Sequence, residues 1–86
     1  MELKISAKVR KKINGYDRPT RENLRKGVNG LMKTPPEGDI APLQGYNDGR
    51  LRLRIGKYRI IYKYIMEGGE EILCITAVGS RGEIYK

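Results

Sequence analysis

"GRLRLRIGKYRIIYKY", residues 49 to 64, alternates cations with aliphatic residues at a period of two. Successive side chains of a strand point to opposite faces. Leu51, Leu53 and Ile55 therefore go to one side, and Arg50, Arg52 and Arg54 to the other. A glycine at 56 interrupts the pattern, after which Tyr58, Ile60, Tyr62 and Tyr64 share one face and Arg59 and Lys63 the opposite one. The reading is a short hairpin that brings Arg54 close to Arg59, so that the arginines form a cluster and not a line. Six cations (Arg50, Arg52, Arg54, Lys57, Arg59 and Lys63) and no acid occupy these sixteen residues.

Working outward, residues 50 to 55, 57 to 66 and 71 to 78 read as three strands, with "EGGE" at 67 to 70 closing the second hairpin. "EILCITAV" is apolar on both faces, which suits a central strand covered by helices on at least one side. A short final strand, "EIYK", is expected at 83 to 86. Toward the N-terminus, "MELKIS" alternates as a strand from Glu2 to Ile5, and Ser6 then caps a helix running to about Ile13. Asn14-Gly15 breaks it, and Asp17 to Pro19 starts a second helix. Leu24, Val28 and Leu31 recur at i, i+4 and i+7 to its end near Met32. Gly27 and Gly30 each cost that helix roughly 1 kcal/mol relative to alanine, so packing must hold it. "KTPPEGDIAP", 33 to 42, reads as a loop because of its prolines. The expected fold is α+β in the order β-α-α-β-β-β: one domain over residues 1–86, with two helices on one face of a mostly antiparallel, twisted sheet.

Composition narrows the chemistry. With 86 residues the chain supports one modest core, and no apolar run suggests a membrane span or an export signal, which implies a cytoplasmic protein. The chain has no histidine and one cysteine, Cys74, read as a buried structural thiol. The usual zinc spacings and any Ser-His or Cys-His nucleophile are thereby excluded, and no metal or other cofactor is expected. A net charge of +8 makes a polyanion the expected partner, with an acidic protein equally compatible.

A solvated sheet face usually mixes signs, whereas Arg50 to Tyr64 holds no acid to relieve the repulsion. Arginine, with its planar fork, suits bidentate contact with phosphate. Cleaving RNA without metal or histidine requires the 2′-hydroxyl to be activated, the phosphorane's charge to be neutralised and the 5′-oxygen to be protonated. Arginines serve the second need well. They serve the first poorly, since a guanidinium has a pKa above about 12. Tyr85 could stack on a base or orient the phosphate, although a core-anchoring role is commoner for a lone tyrosine.

"GDIAPLQGYNDGRLRLRIGKYRIIYKY" followed by "AVGSRGEIY" resembles the RelE/ParE superfamily of toxin–antitoxin toxins. The resemblance rests on a P-L-x-G loop, an R-L-R-(V/I)-G-x-Y-R hairpin and a G-x-R-x-E-(I/V)-Y stretch, across residues 38 to 85. RelE-like members are ribosome-dependent endoribonucleases of messenger RNA, neutralised by a cognate antitoxin, here expected to be acidic. The resemblance places Arg50 and Arg52 at positions proposed to activate the 2′-hydroxyl, and Arg59 at the one that stabilises the transition-state phosphate. It places Arg81 at the residue that assists the leaving group and Tyr85 at the one that stacks on or orients the substrate. Arg54, with Lys57 and Lys63 in the same basic stretch, is expected to contact RNA. Both base positions hold arginine, and Ser80 stands where some relatives carry a histidine, so the glutamate–histidine pair of those relatives is absent. ParE-like members keep the same fold but inhibit DNA gyrase by protein contact. They generally lack the full arginine and tyrosine set that this chain keeps. A catalytically weak remnant that binds RNA or antitoxin is the third alternative.

Overall fold

The computed structural model describes residues 1–43, 45, 48–80 and 82. Along the chain run β1 (Glu2–Ile5), α1 (Ala7–Asn14), α2 (Arg18–Leu31), β2 (Asp39–Pro42), β3 (Leu51–Ile55), β4 (Tyr58–Glu67) and β5 (Glu70–Ser80). The strands form one sheet in the order β1-β5-β4-β3-β2, in which β1 pairs β5 in parallel and every other pair is antiparallel. The long apolar strand of the sequence, β5, is interior to the sheet as expected. The expected strand at 83 to 86 lies outside the described residues.

Local chemistry sets the helix ends. Ser6 Oγ accepts from Val9 N–H at 3.2 Å, and α1 finishes with Lys11 and Lys12 against its negative end. Proline in the first turn of α2 uses a position whose N–H has no helical partner in any case. At the other end of α2, the Leu31 carbonyl accepts from the Tyr64 hydroxyl at 2.7 Å, which ties α2 to β4 and satisfies a half-buried phenol.

Helix residues Val9, Leu24, Val28 and Leu31 meet Leu53, Ile60, Tyr62, Leu73, Ile75 and Val78 from one face of the sheet. The alternation survives an irregularity. Ile61 pairs Ala77 while Tyr62 pairs Ile75, so Thr76 is an extra residue in β5. The Thr76 hydroxyl donates to the Ile61 carbonyl at 3.2 Å, and the bulge lets Ile75 and Val78 both reach the core.

The two helical glycines are explained by close approach. A Cβ at Gly27 would overlap Ile55 Cδ1, and one at Gly30 would stand 2.9 Å from the Glu37 carbonyl oxygen. The Glu37 N–H donates to the Gly30 carbonyl at 2.9 Å, so the segment after α2 folds back directly onto the helix.

One expectation is corrected here. Residues 39 to 42 are not loop: β2 pairs β3 from Asp39↔Arg54 to Pro42↔Leu51. Proline is tolerated because β2 is an edge strand and Pro42 is its last residue. Asp39 thereby joins the arginine side of the sheet.

Candidate functional site

The face of the sheet away from the helices carries the cations. Its central row runs Asp39–Arg54–Arg59–Gly79 across β2, β3, β4 and β5, and the adjacent row runs Ala41–Arg52–Ile61–Ala77. The β3–β4 turn is two residues, Gly56-Lys57, with Gly56 at φ 58°, the mirror-image conformation that matches strand twist. That turn makes Arg54 and Arg59 direct cross-strand partners, as the sequence implied, with Arg52 diagonal to Arg59. Opposite this pair β5 supplies alanine and glycine, so no long β5 side chain stands beside the guanidiniums.

Arg59 is half-buried, and its Nη1 donates to the carbonyls of Gly56 and Tyr58, both at 3.0 Å. It has no carboxylate partner among the described residues. Carbonyl dipoles thus hold the guanidinium in place without cancelling its charge. The two residues expected to activate a hydroxyl are differently placed. Arg50 Nε lies 2.7 Å from Asp48 Oδ2, and Arg52 Nη1 donates to the Asp39 carbonyl at 3.3 Å.

The premise that no acid relieves this stretch is corrected by the fold. Asp39 reaches Arg54 Nε at 2.6 Å and Arg52 Nη1 at 3.6 Å, from fifteen and thirteen residues away in sequence. The hydrogen bond from Arg54 holds the Asp39 carboxyl below its ordinary range, and the one from Arg50 does the same for Asp48. Both acids are therefore anionic at neutral pH. The cluster is a partly neutralised array in which Arg59, among the described residues, has no carboxylate partner.

Of the remaining expected residues, Lys57 is exposed in the turn, its Nζ 5.4 Å from the centre of the Tyr58 ring. Lys63 shares the face of Arg59 but stands four residues along β4, about 13 Å away. Arg81 and Tyr85 lie outside the described residues. Cys74 is half-buried and not fully buried, because it faces away from the helices between its strand partners Lys63 and Lys4. Among the described residues no group of three or more Cys, Asp or Glu side chains is arranged to hold a metal ion, and no helix is long and apolar enough to cross a membrane.

Residues 3–85 match the family model for the ParE toxin of the type II toxin–antitoxin system parDE. The chain belongs to the ParE toxin family. It is thus a type II toxin–antitoxin toxin of the RelE/ParE superfamily. The toxin superposes on the YoeB/ParE toxin from Agrobacterium tumefaciens with a TM-score of 0.77 at 20% identity, covering 94% of this chain and 99% of that one. The RelBE2 toxin–antitoxin complex from Mycobacterium tuberculosis gives a TM-score of 0.70 at 18% identity, over 93% and 96% of the two chains. The RelB–RelE complex from Methanococcus jannaschii gives 0.66 at 20% identity, over 94% and 93%. At such identities these likenesses speak to the fold, a two-helix layer on a mostly antiparallel sheet. No curated protein sequence matches the chain.

Proposed function

We propose that this toxin is a metal-independent endoribonuclease that cuts messenger RNA on the ribosome and so stops translation in the cytoplasm. The observation that carries the reading is Arg59, a guanidinium held by the carbonyls of Gly56 and Tyr58 and left without a carboxylate among the described residues. A cation fixed before the substrate arrives stabilises developing phosphorane charge without reorganising. In this mechanism the 2′-hydroxyl proton passes to solvent water or hydroxide, and Arg50 and Arg52, which do not accept it, lower the cost of the 2′-oxyanion through their field. Arg81 hydrogen-bonds the departing 5′-oxygen as the P–O5′ bond breaks, that oxygen takes its proton from solvent, and Tyr85 orients the base or phosphate. Arg54, Lys57 and Lys63 extend the contact along the strand of RNA.

The partner in this reading is an acidic antitoxin segment. A groove of about 310 Å³ between α1, α2 and the edge strand β1 has Leu3, Ile5 and Ile13 among its apolar lining and Arg10, Arg21 and Arg25 among its cations. Apolar walls with a cationic lining complement an amphipathic acidic chain that orders on binding.

The match to the ParE family model favours a second reading, inhibition of DNA gyrase by protein contact. The experiment that separates them is induction of the toxin without antitoxin, with messenger RNA ends mapped on translating ribosomes and gyrase supercoiling assayed in parallel. Codon-phased cuts that vanish in Arg59→Ala and fall by two orders of magnitude or more in Arg59→Lys support the nuclease. Intact messenger RNA with blocked supercoiling refutes it in favour of the gyrase reading, and inactivity in both assays marks a remnant.

A further inference from the structure

The carboxylate of Asp39 touches two guanidiniums of one strand. Its Oδ2 accepts from Arg54 Nε at 2.6 Å, and its Oδ1 lies 3.6 Å from Arg52 Nη1. One anion with an oxygen toward each of two arginines is the arrangement that a phosphodiester makes with its two non-bridging oxygens. The carboxylate is exposed, with 44% of the side chain accessible, so it can swing aside without disturbing the core. β2 lies at the edge of the sheet, and its open-face neighbour beside Asp39 is Ala41, too small to obstruct that movement.

We propose that Arg52 and Arg54 form a seat for one backbone phosphate, and that in the free toxin Asp39 occupies it. Binding a strand of RNA then exchanges an internal carboxylate for an external phosphodiester. The proposal rests on the reading of this face as an RNA-contacting surface. Exchange is favoured over joint occupancy because a phosphate lodged beside Asp39 would bring two anions into contact at a site with two cations. The exchange also discriminates among ligands. A lone phosphate must displace Asp39 on its own, whereas a strand already held by Arg59 presents its next phosphate at a high effective concentration. Asp39 thus selects polyanions over small anions.

The test is fluorescence anisotropy with the antitoxin-free toxin and a labelled 2′-O-methyl decauridylate, which binds but cannot be cleaved. Asp39→Asn keeps the shape and removes the charge. It is expected to lower Kd about threefold to tenfold. The slope of log K against log salt should stay unchanged, because the parent seats the same phosphate once Asp39 has moved aside. Inorganic phosphate should compete better against the variant than against the parent toxin. In the Arg52→Ala/Arg54→Ala background Asp39→Asn should have no effect, since the seat is gone. Equal or weaker binding by Asp39→Asn, while Arg52→Ala and Arg54→Ala each weaken binding, overturns the seat and leaves the RNA-contacting face standing. Unchanged binding in both arginine variants overturns the RNA reading itself and the seat with it. Asp39→Ser, with thermal melting of each variant, serves as the second probe should the asparagine perturb β2.

Discussion

Replacing Gly27 by alanine tests whether close packing, and not conformational freedom, explains the glycines of α2. Alanine in a helix interior is favoured over glycine by about 1 kcal/mol, so at an open site the change would stabilise. Here the new Cβ would overlap Ile55 Cδ1 and stand 3.1 Å from Leu53 Cδ2 and 3.2 Å from Ile55 Cγ1. Leu53 is 1% exposed and has nowhere to go, while the half-buried Ile55 yields at its tip. Overpacking of this kind costs about 1–3 kcal/mol, which offsets or exceeds the propensity gain. Set against the propensity gain, the expected result is a net loss of up to about 2 kcal/mol in urea denaturation, with a melting temperature lower by roughly 4–8 °C per kcal/mol in a domain of this size. Ile55→Val deletes the very atom that the new Cβ meets. Alone it costs about 0.5–1 kcal/mol; combined with Gly27→Ala it should recover stability, with a favourable coupling of at least about 1 kcal/mol. A Gly27→Ala toxin about 1 kcal/mol more stable than the parent, or strict additivity in the double variant, would refute the reasoning.

Three further outcomes follow from other sites. Tyr62 is fully buried and its hydroxyl has no hydrogen-bond partner among the described residues, so Tyr62→Phe should raise stability by about 1 kcal/mol in chemical denaturation at pH 8. Burial pushes the Tyr62 phenol from 10.0 up to about 12. Its neutral form thus supports the fold fully below pH 10 and loses that contribution as pH rises toward 12, an alkaline decline that the phenylalanine variant should lack. Ser6→Ala removes the acceptor for Val9 N–H and should cost about 1 kcal/mol by thermal melting, with Ser6→Asp restoring most of it. The hydrogen bond from Arg54 lowers the Asp39 carboxyl from 3.8, so its contribution to stability is present above that value and fades as pH falls through it. In an acid titration followed by circular dichroism, Asp39→Asn should be less sensitive than the parent below about pH 3.8.

Most of the fold was legible because local signals agreed with tertiary placement. Period-two alternation put Leu53 inside and Arg52 and Arg54 outside, and the cap at Ser6 and the first-turn Pro19 located both helices. The two-residue turns fixed which residues face each other: Arg54 opposite Arg59, and Glu67 opposite Glu70 around Gly68 and Gly69. Edge strand β2 was missed because it follows Pro35 and Pro36 and ends in Pro42, and at an edge Pro42 is no bar to pairing. That single miss propagated into the site. Asp39 is near in sequence to none of its arginines, so charge neutralisation across β2 and β3 was invisible in a window from Arg50 to Tyr64. Asp48 was nearer to hand, two residues before Arg50. Thr76's bulge left no trace in composition; only the spacing of Ile75 and Val78, three and not two residues apart, hinted at it.

The parallel pairing of β1 with β5 has a consequence for how the toxin is born. Glu2 has Ile72 as its strand partner, and β4, which carries Arg59, is flanked on one side by β5. A ribosome adding roughly 5–20 residues per second delivers β5 several seconds after β1 has emerged. Until then the helices have only part of a sheet to cover, and the arginine hairpin lacks half of its support. The arginine face is therefore assembled only near the completion of β5. A nascent chain interrupted before β5 carries the cations of a toxin without the surface that arranges them.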